Sequence, residues 1–122
     1  MRVCVDLDGT ICQLSVTGDY ANAAPVPGAR EALCHLRGRG AYIIIYTARR
    51  MRTHDGNVAR VLEDIGDLTH AWLRRHGIPY DEIVFGKPYA HVYIDDLAHR
   101  FETWDGLPAR LMDGIEERHE AA

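Results

Sequence analysis

Ala41-Tyr42-Ile43-Ile44-Ile45-Tyr46-Thr47 is an unbroken run of β-branched and aromatic residues, the composition of a strand covered on both faces. Segments with helical spacing stand on either side of it. Before it, Pro27-Gly28 opens a stretch carrying Ala29, Ala32, Leu33 and Leu36, an i, i+3, i+4, i+7 stripe that Gly38 and Gly40 stop. After it, Asn57 is placed to cap a helix bearing Val58, Val61, Leu62, Ile65, Leu68, Trp72 and Leu73 on one face. Gly66 predicts a kink in that helix and Gly77 its end. Arg2 to Asp6 alternates around Val3 and Val5 as a first short strand, and Glu82 to Phe85 and Val92 to Ile94 read as two more. A last helix is expected after Pro108, with Leu111, Met112 and Ile115 turned inward. Residues 7 to 27, rich in Gly, Thr, Ala and Pro, read as loop with a small hairpin around Gly18-Asp19. Strands alternating with helices imply an α/β fold, a mainly parallel sheet with helices on both faces.

The 122 residues suffice for one domain with a proper core, spanning 1–122, and are too few for two. No apolar run approaches the roughly 18 residues that cross a bilayer. The start, Met1-Arg2-Val3-Cys4-Val5-Asp6, has no signal-peptide core, so a cytoplasmic protein is expected. Cys4, Cys12 and Cys34 lack CxxC spacing and read as reduced thiols rather than a disulfide or zinc framework. A net charge of −4 disfavours nucleic acid as a partner. Against that background Arg49, Arg50, Arg52 and His54 crowd six residues, either as a solvated basic loop or as a binding loop.

In open parallel sheets, ligands bind beyond the carboxyl ends of the strands. The first strand ends there in Asp6-Leu7-Asp8, the second in Thr47, the third leads into Gly86-Lys87-Pro88, and the fourth ends in Asp95-Asp96. Four polar or charged endings on one edge fit phosphoryl transfer. That chemistry needs a nucleophile, a proton donor for the leaving oxygen, and positive charge around the phosphoryl oxygens. Asp6 suits the nucleophile, since carboxylates form aspartyl phosphates. Asp8 suits the acid that protonates the leaving alkoxide and the base that then activates water. Thr47 offers a hydroxyl to a phosphate oxygen. Lys87 is the only lysine among 14 basic Lys and Arg residues. Its compact ammonium can pin both a phosphate oxygen and a carboxylate where a planar guanidinium cannot. The adjacent carboxylates of Asp95 and Asp96 repel each other unless a cation or hydrogen bonds relieve them, and hard oxygen donors suit Mg²⁺.

Asp6-Leu7-Asp8-Gly9-Thr10, Tyr46-Thr47-Ala48-Arg49, Gly86-Lys87-Pro88 and Ile94-Asp95-Asp96, in that order, resemble the four motifs of the haloacid-dehalogenase-like hydrolases. The resemblance runs from residue 3 to 96, and the paired Asp6 and Asp8 are similar to its phosphatase and phosphomutase branches. A narrower likeness rests on Arg50-Met51-Arg52-Thr53, Gly56-Asn57, Trp72-Leu73, Ile78-Pro79-Tyr80-Asp81-Glu82-Ile83 and Gly86-Lys87-Pro88. These resemble small bacterial capsule-biosynthesis phosphatases. The resemblance implies a Rossmann-like three-layer sandwich without a sizeable cap. It implies Asp6 as nucleophile and Asp8 as acid/base, with Thr47 and Lys87 on the phosphate and Gly9 in the substrate-binding loop. It also implies Mg²⁺ held by Asp6, Asp8 (through its backbone carbonyl) and Asp96, with Asp95 beside it.

The gaps that carry caps in such enzymes are residues 11–27 and 48–86 here, the first with room only for a flap. The site is therefore expected to be open, closed by substrate, by a second copy of the chain in a homo-oligomer, or by the loop at 48–57. Arg50, Arg52 and His54 are placed for an anionic or hydroxyl-rich leaving group, with Arg49 closer to the phosphate loop or the sheet edge. The expected substrate is a small phosphorylated metabolite, above all a sugar phosphate. The alternatives are a nucleotide or polynucleotide-end phosphatase and a receiver-type phosphoacceptor domain. Receivers carry their phosphorylated Asp on a middle strand, where this chain has Thr47.

Overall fold

The computed structural model describes residues 1–113. Three strands, β1 (Arg2–Asp6), β2 (Tyr42–Thr47) and β3 (Glu82–Phe85), form a parallel sheet in the order β1-β2-β3. The register sets Val5 beside Ile45, Asp6 beside Tyr46, and Thr47 beside Phe85. The strands therefore finish level, and their last residues share one edge.

Helix α1 (Ala29–Gly38) connects β1 to β2, and α2 (Val58–Arg75) connects β2 to β3. Both crossovers step the same way across the sheet. With the usual right hand they bring both helices to the same face. Leu33 and Leu36 of α1 accordingly share one core with Trp72 and Leu73 of α2 and with Val5, Ile43 and Ile45 of the sheet. Ile43 and Ile45 are completely buried, and each such side chain contributes about 1.5–3 kcal/mol. The alternate residues Ile44 and Tyr46 are only half-buried, and Cys4 and Tyr42 are exposed. The layer expected over that second face is not supplied by the described residues. The class is α/β and Rossmann-like, with a small flap in place of a cap. In the flap, residues 11–27, an antiparallel bridge between Cys12 and Pro25 closes the base of the loop around Gly18-Asp19, where a small hairpin was expected, and a 3-10 turn (Tyr20–Asn22) follows its tip.

The local signals explain most of the frame. The Asn57 side chain accepts a hydrogen bond from the Arg60 backbone N–H and caps α2. All four stripe residues of α1 are buried. The kink expected at Gly66 is absent, and α2 runs unbroken. Gly66 lies on the buried face with Val61, Ile65 and Thr69, where packing outweighs the roughly 1 kcal/mol by which glycine disfavours a helix. Val58 and Leu62, expected on that face, are 36% and 46% exposed. Residues 107–113 are helical, with Leu107 and Met112 buried; Ile115 lies outside the described residues. Cys4, Cys12 and Cys34 are free thiols. Among the described residues no helix is long and apolar enough to cross a membrane.

The strand expected at 92–94 does not form. Residues 86–100 have no regular backbone, and Val92 and Ile94 are 69% and 95% exposed. Contacts within the segment outcompete pairing: the Tyr93 hydroxyl donates to the Pro88 carbonyl, and the Lys87 ammonium sits 4.3 Å from the centre of the Tyr93 ring. Among the described residues, β1 pairs with β2 alone.

Candidate active site

The chain turns sharply at the end of β1. The backbone N–H groups of Thr10, Ile11 and Cys12 all converge on the Leu7 carbonyl. Gly9 takes φ +85°, the left-handed region that a side chain disfavours. This turn leaves Asp6 and Asp8, both half-buried, beside the ends of the other strands. Across the edge, the Lys87 backbone N–H donates to the Thr47 carbonyl, which fixes the start of the loop after β3 against the end of β2. Lys87 Nζ then lies 3.5 Å from Asp6 Oδ1.

Burial pushes the Asp6 carboxyl above its ordinary range, with a smaller push from the Asp8 charge. The Lys87 ammonium and the Leu7 backbone N–H oppose it. Asp6 is thus a partly desolvated carboxyl whose ionised form is supported by one adjacent cation. Thr47 is buried, its Oγ1 accepting from the Arg49 backbone N–H at 3.0 Å and its own hydroxyl hydrogen still available.

The basic loop divides its roles. Arg49, grouped with the substrate-binding residues and expected closest to the phosphate loop or the sheet edge, is turned inward and is 4% exposed. It grips Asp8 with both sides of its fork: Nε to Oδ2 at 3.0 Å and Nη2 to Oδ1 at 2.7 Å. Arg50 reaches the Gly18 carbonyl of the flap and faces Asp64, and His54 Nε2 lies 2.9 Å from the same Asp64 carboxylate. Arg52 is exposed, 5.5 Å from the centre of the Tyr89 ring. A cleft of about 410 Å³ opens beside it, lined by Met51, Asp55, Gly86 and Pro88 among others. Of the basic residues in the loop, Arg52 is the exposed one, and it borders this cleft together with the exposed Asp55.

Asp6 and Asp8 bring hard oxygens of the kind Mg²⁺ takes to one strand end. Asp95 and Asp96 do not join them. Both are exposed on the irregular stretch, and Asp95 Oδ1 accepts from the Leu97 backbone N–H. Among the described residues no three His, Cys, Asp or Glu side chains gather as a cation site. The expected four-carboxylate cluster is thus open on one side, because the segment carrying its second half curls toward Pro88 instead of pairing with β1.

Thr69, Asp64 and Tyr89 are partners that no sequence motif marked. Thr69 left one signal: it is a polar residue on the apolar stripe of α2, between Ile65 and Trp72. Its hydroxyl donates to the Ile65 carbonyl and accepts from Arg49 Nη1.

Comparison with known proteins fits this geometry. Residues 14–121 match the family described as 5′ nucleotidase, deoxy (Pyrimidine), cytosolic type C protein. The chain is similar to a structural-genomics target from Vibrio cholerae, with 35% identity over 98% of this chain and 97% of that one and a TM-score of 0.82. A D,D-heptose 1.7-bisphosphate phosphatase from B. bronchiseptica, complexed with magnesium and phosphate, aligns over 98% of this chain and 63% of its own. That second likeness has 21% identity and a TM-score of 0.47. No curated protein matches the chain. The match over residues 14–121 places the chain in the cytosolic type C 5′-nucleotidase family of haloacid-dehalogenase-like phosphatases, as a phosphoric monoester hydrolase.

Proposed function

We propose that this chain is a Mg²⁺-dependent phosphatase for small phosphate monoesters that works through an aspartyl-phosphate intermediate on Asp6. The observation that carries the reading is the pair of Asp6 and Lys87, 3.5 Å apart at the ends of β1 and β3. An Asp6 oxygen attacks phosphorus and the bond to the leaving oxygen breaks. Asp8 delivers its proton to that oxygen, then accepts one from the water that cleaves the acyl phosphate and regenerates Asp6. Lys87 and the Thr47 hydroxyl hold the phosphoryl oxygens while charge shifts among them. Asp6 and Asp8 are the residues that would hold Mg²⁺; Asp95 and Asp96, which the Ile94-Asp95-Asp96 motif assigns to it, do not join them among the described residues. When bound, the cation adds positive charge beside the phosphoryl group.

The substrate follows from the open mouth. Among the described residues no cap encloses the leaving group, so discrimination falls to the exposed Arg52 and the cleft next to Tyr89. A cation over an aromatic ring beside a phosphate site suits a polar, hydroxyl-bearing leaving group, as in a sugar phosphate. A second reading, a nucleoside monophosphate, is favoured by the nucleotidase family match. A capsule-biosynthesis role is one setting for the sugar phosphate.

A phosphate-release screen of sugar phosphates, nucleoside monophosphates and p-nitrophenyl phosphate tests this reading, repeated on Arg52→Ala. The variant is expected to raise KM for the preferred substrate about tenfold or more, the scale of one lost charged contact. KM for p-nitrophenyl phosphate should stay within about threefold. Equal effects on both would remove Arg52 from leaving-group recognition.

A further inference from the structure

We propose that Arg49 is the positioning residue for Asp8, and that the flap controls it through Tyr20. The inference rests on the assignment of Asp8 as acid/base. The Arg49 guanidinium is engaged on three sides. Asp8 takes Nε and Nη2 at 3.0 and 2.7 Å, Thr69 Oγ1 takes Nη1 at 3.0 Å, and the Tyr20 ring covers its flat face with its centre 4.0 Å from Cζ. Its own backbone N–H is bound by Thr47 Oγ1. A buried charge is costly unless fully paired, and each of these contacts offsets that cost while removing freedom from the side chain. A guanidinium so engaged is poorly placed to recruit substrate.

What it does control is direction. A bidentate fork fixes the plane of the carboxylate as well as its position. Each carboxylate oxygen keeps a second lone pair when one is given to Arg49. The grip therefore aims the remaining lone pairs of Asp8 without consuming them. A lysine could supply charge here but could not define that plane.

Tyr20 ties the flap to this arrangement. Its ring lies over Arg49 and, at 5.2 Å, beside Arg50, whose Nη2 holds the Gly18 carbonyl. The far end of the flap is fastened to α2 by Trp72 Nε1, which donates to the Ala23 carbonyl at 2.8 Å. A flap lifted at Tyr20 uncovers the guanidinium that orients Asp8, so coverage of the site and alignment of its acid are one event.

Proton delivery matters most when the leaving oxygen is basic. Phenyl phosphate and p-nitrophenyl phosphate differ in that basicity and little in size, and the nitrophenolate leaves with little help. For Arg49→Ala we expect kcat/KM, which reports only the steps up to departure of the leaving group, to fall about 10²-fold on phenyl phosphate, the scale of lost general acid catalysis, and less than about tenfold on p-nitrophenyl phosphate. Added guanidinium ion should restore part of the phenyl phosphate rate. Tyr20→Leu, on the exposed flap, and Thr69→Val, which removes one partner of the fork, should show the same pattern at smaller size. They test the proposal even if Arg49→Ala fails to fold. Asp8→Asn serves as the reference. Should Asp8→Asn show no such leaving-group dependence, the acid/base assignment itself is wrong. Should Asp8→Asn show it while the Arg49, Tyr20 and Thr69 variants lose kcat/KM equally on both substrates or change nothing, Arg49 does not position Asp8.

Discussion

Lys87 Nζ reaches to 3.5 Å from Asp6 Oδ1 although β2 lies between the strands that carry the two residues. The reach spans two strand spacings, roughly 9–10 Å, which the lysine stem, the Asp6 side chain and the 3.5 Å between them cover together. The Lys87 backbone N–H is tied to the Thr47 carbonyl, so the stem starts from a fixed point. Lys87→Met keeps the stem and removes the charge. It should lower kcat by about 10²–10³-fold, the scale of one donor lost from a developing oxyanion. Lys87→Arg should not rescue it, because a planar fork cannot serve as a point charge between phosphate and carboxylate. Steady-state kinetics of the two variants check this.

Asp81 links the sheet to pH. Its Oδ2 accepts from the Ile43 backbone N–H at 2.8 Å and its Oδ1 from Arg37 Nη2 at 2.9 Å. The backbone hydrogen bond first, and Arg37 with it, hold the carboxyl below its ordinary range, against a smaller opposing effect of burial. The folded chain therefore binds this proton less tightly than the unfolded one. The stabilisation is complete above the unfolded value of about 3.9 and is lost as pH falls through the lower folded value. Asp81→Asn should lower Tm at neutral pH, and the two Tm curves should converge in acid. Thermal melts across the acid range check it; a constant gap at every pH would contradict it.

The parts legible in the sequence are those set by neighbours along the chain. The stripe Ala29-Ala32-Leu33-Leu36, the cap at Asn57 and the run Tyr42–Thr47 each carry their own signal, and each is found. Asp6, Thr47 and Lys87 meet because parallel strands must all end on one edge, which topology alone dictates. The inward turn of Arg49 was not legible. Asp8 lies 41 residues before it and Thr69 20 residues after it, so its burial depends on partners from separate elements. Val92-Tyr93-Ile94 shows the opposite failure: a good strand sequence is outweighed by contacts of Tyr93 with Pro88 and Lys87.

Chelation should abolish turnover, and Mg²⁺ should restore it better than Ca²⁺. Ca²⁺ takes more ligands at longer distances and would hold the nucleophile and phosphorus apart. Phosphate release after exhaustive EDTA treatment measures this. Undiminished activity would remove the metal from the reaction, and with it the metal-binding role given to Asp6 and Asp8.

The covalent role of Asp6 is the central claim, and the turnover rate of Asp6→Asn tests it most directly. The amide occupies the same space and leaves the turn at Leu7 and Gly9 in place, but it cannot attack phosphorus. Phosphate release is expected to fall below about a hundredth of the unmodified rate, the lower bound of what such a group contributes, with the circular dichroism spectrum unchanged. A folded Asp6→Asn protein that keeps more than that hundredth would show that no aspartyl phosphate forms on Asp6.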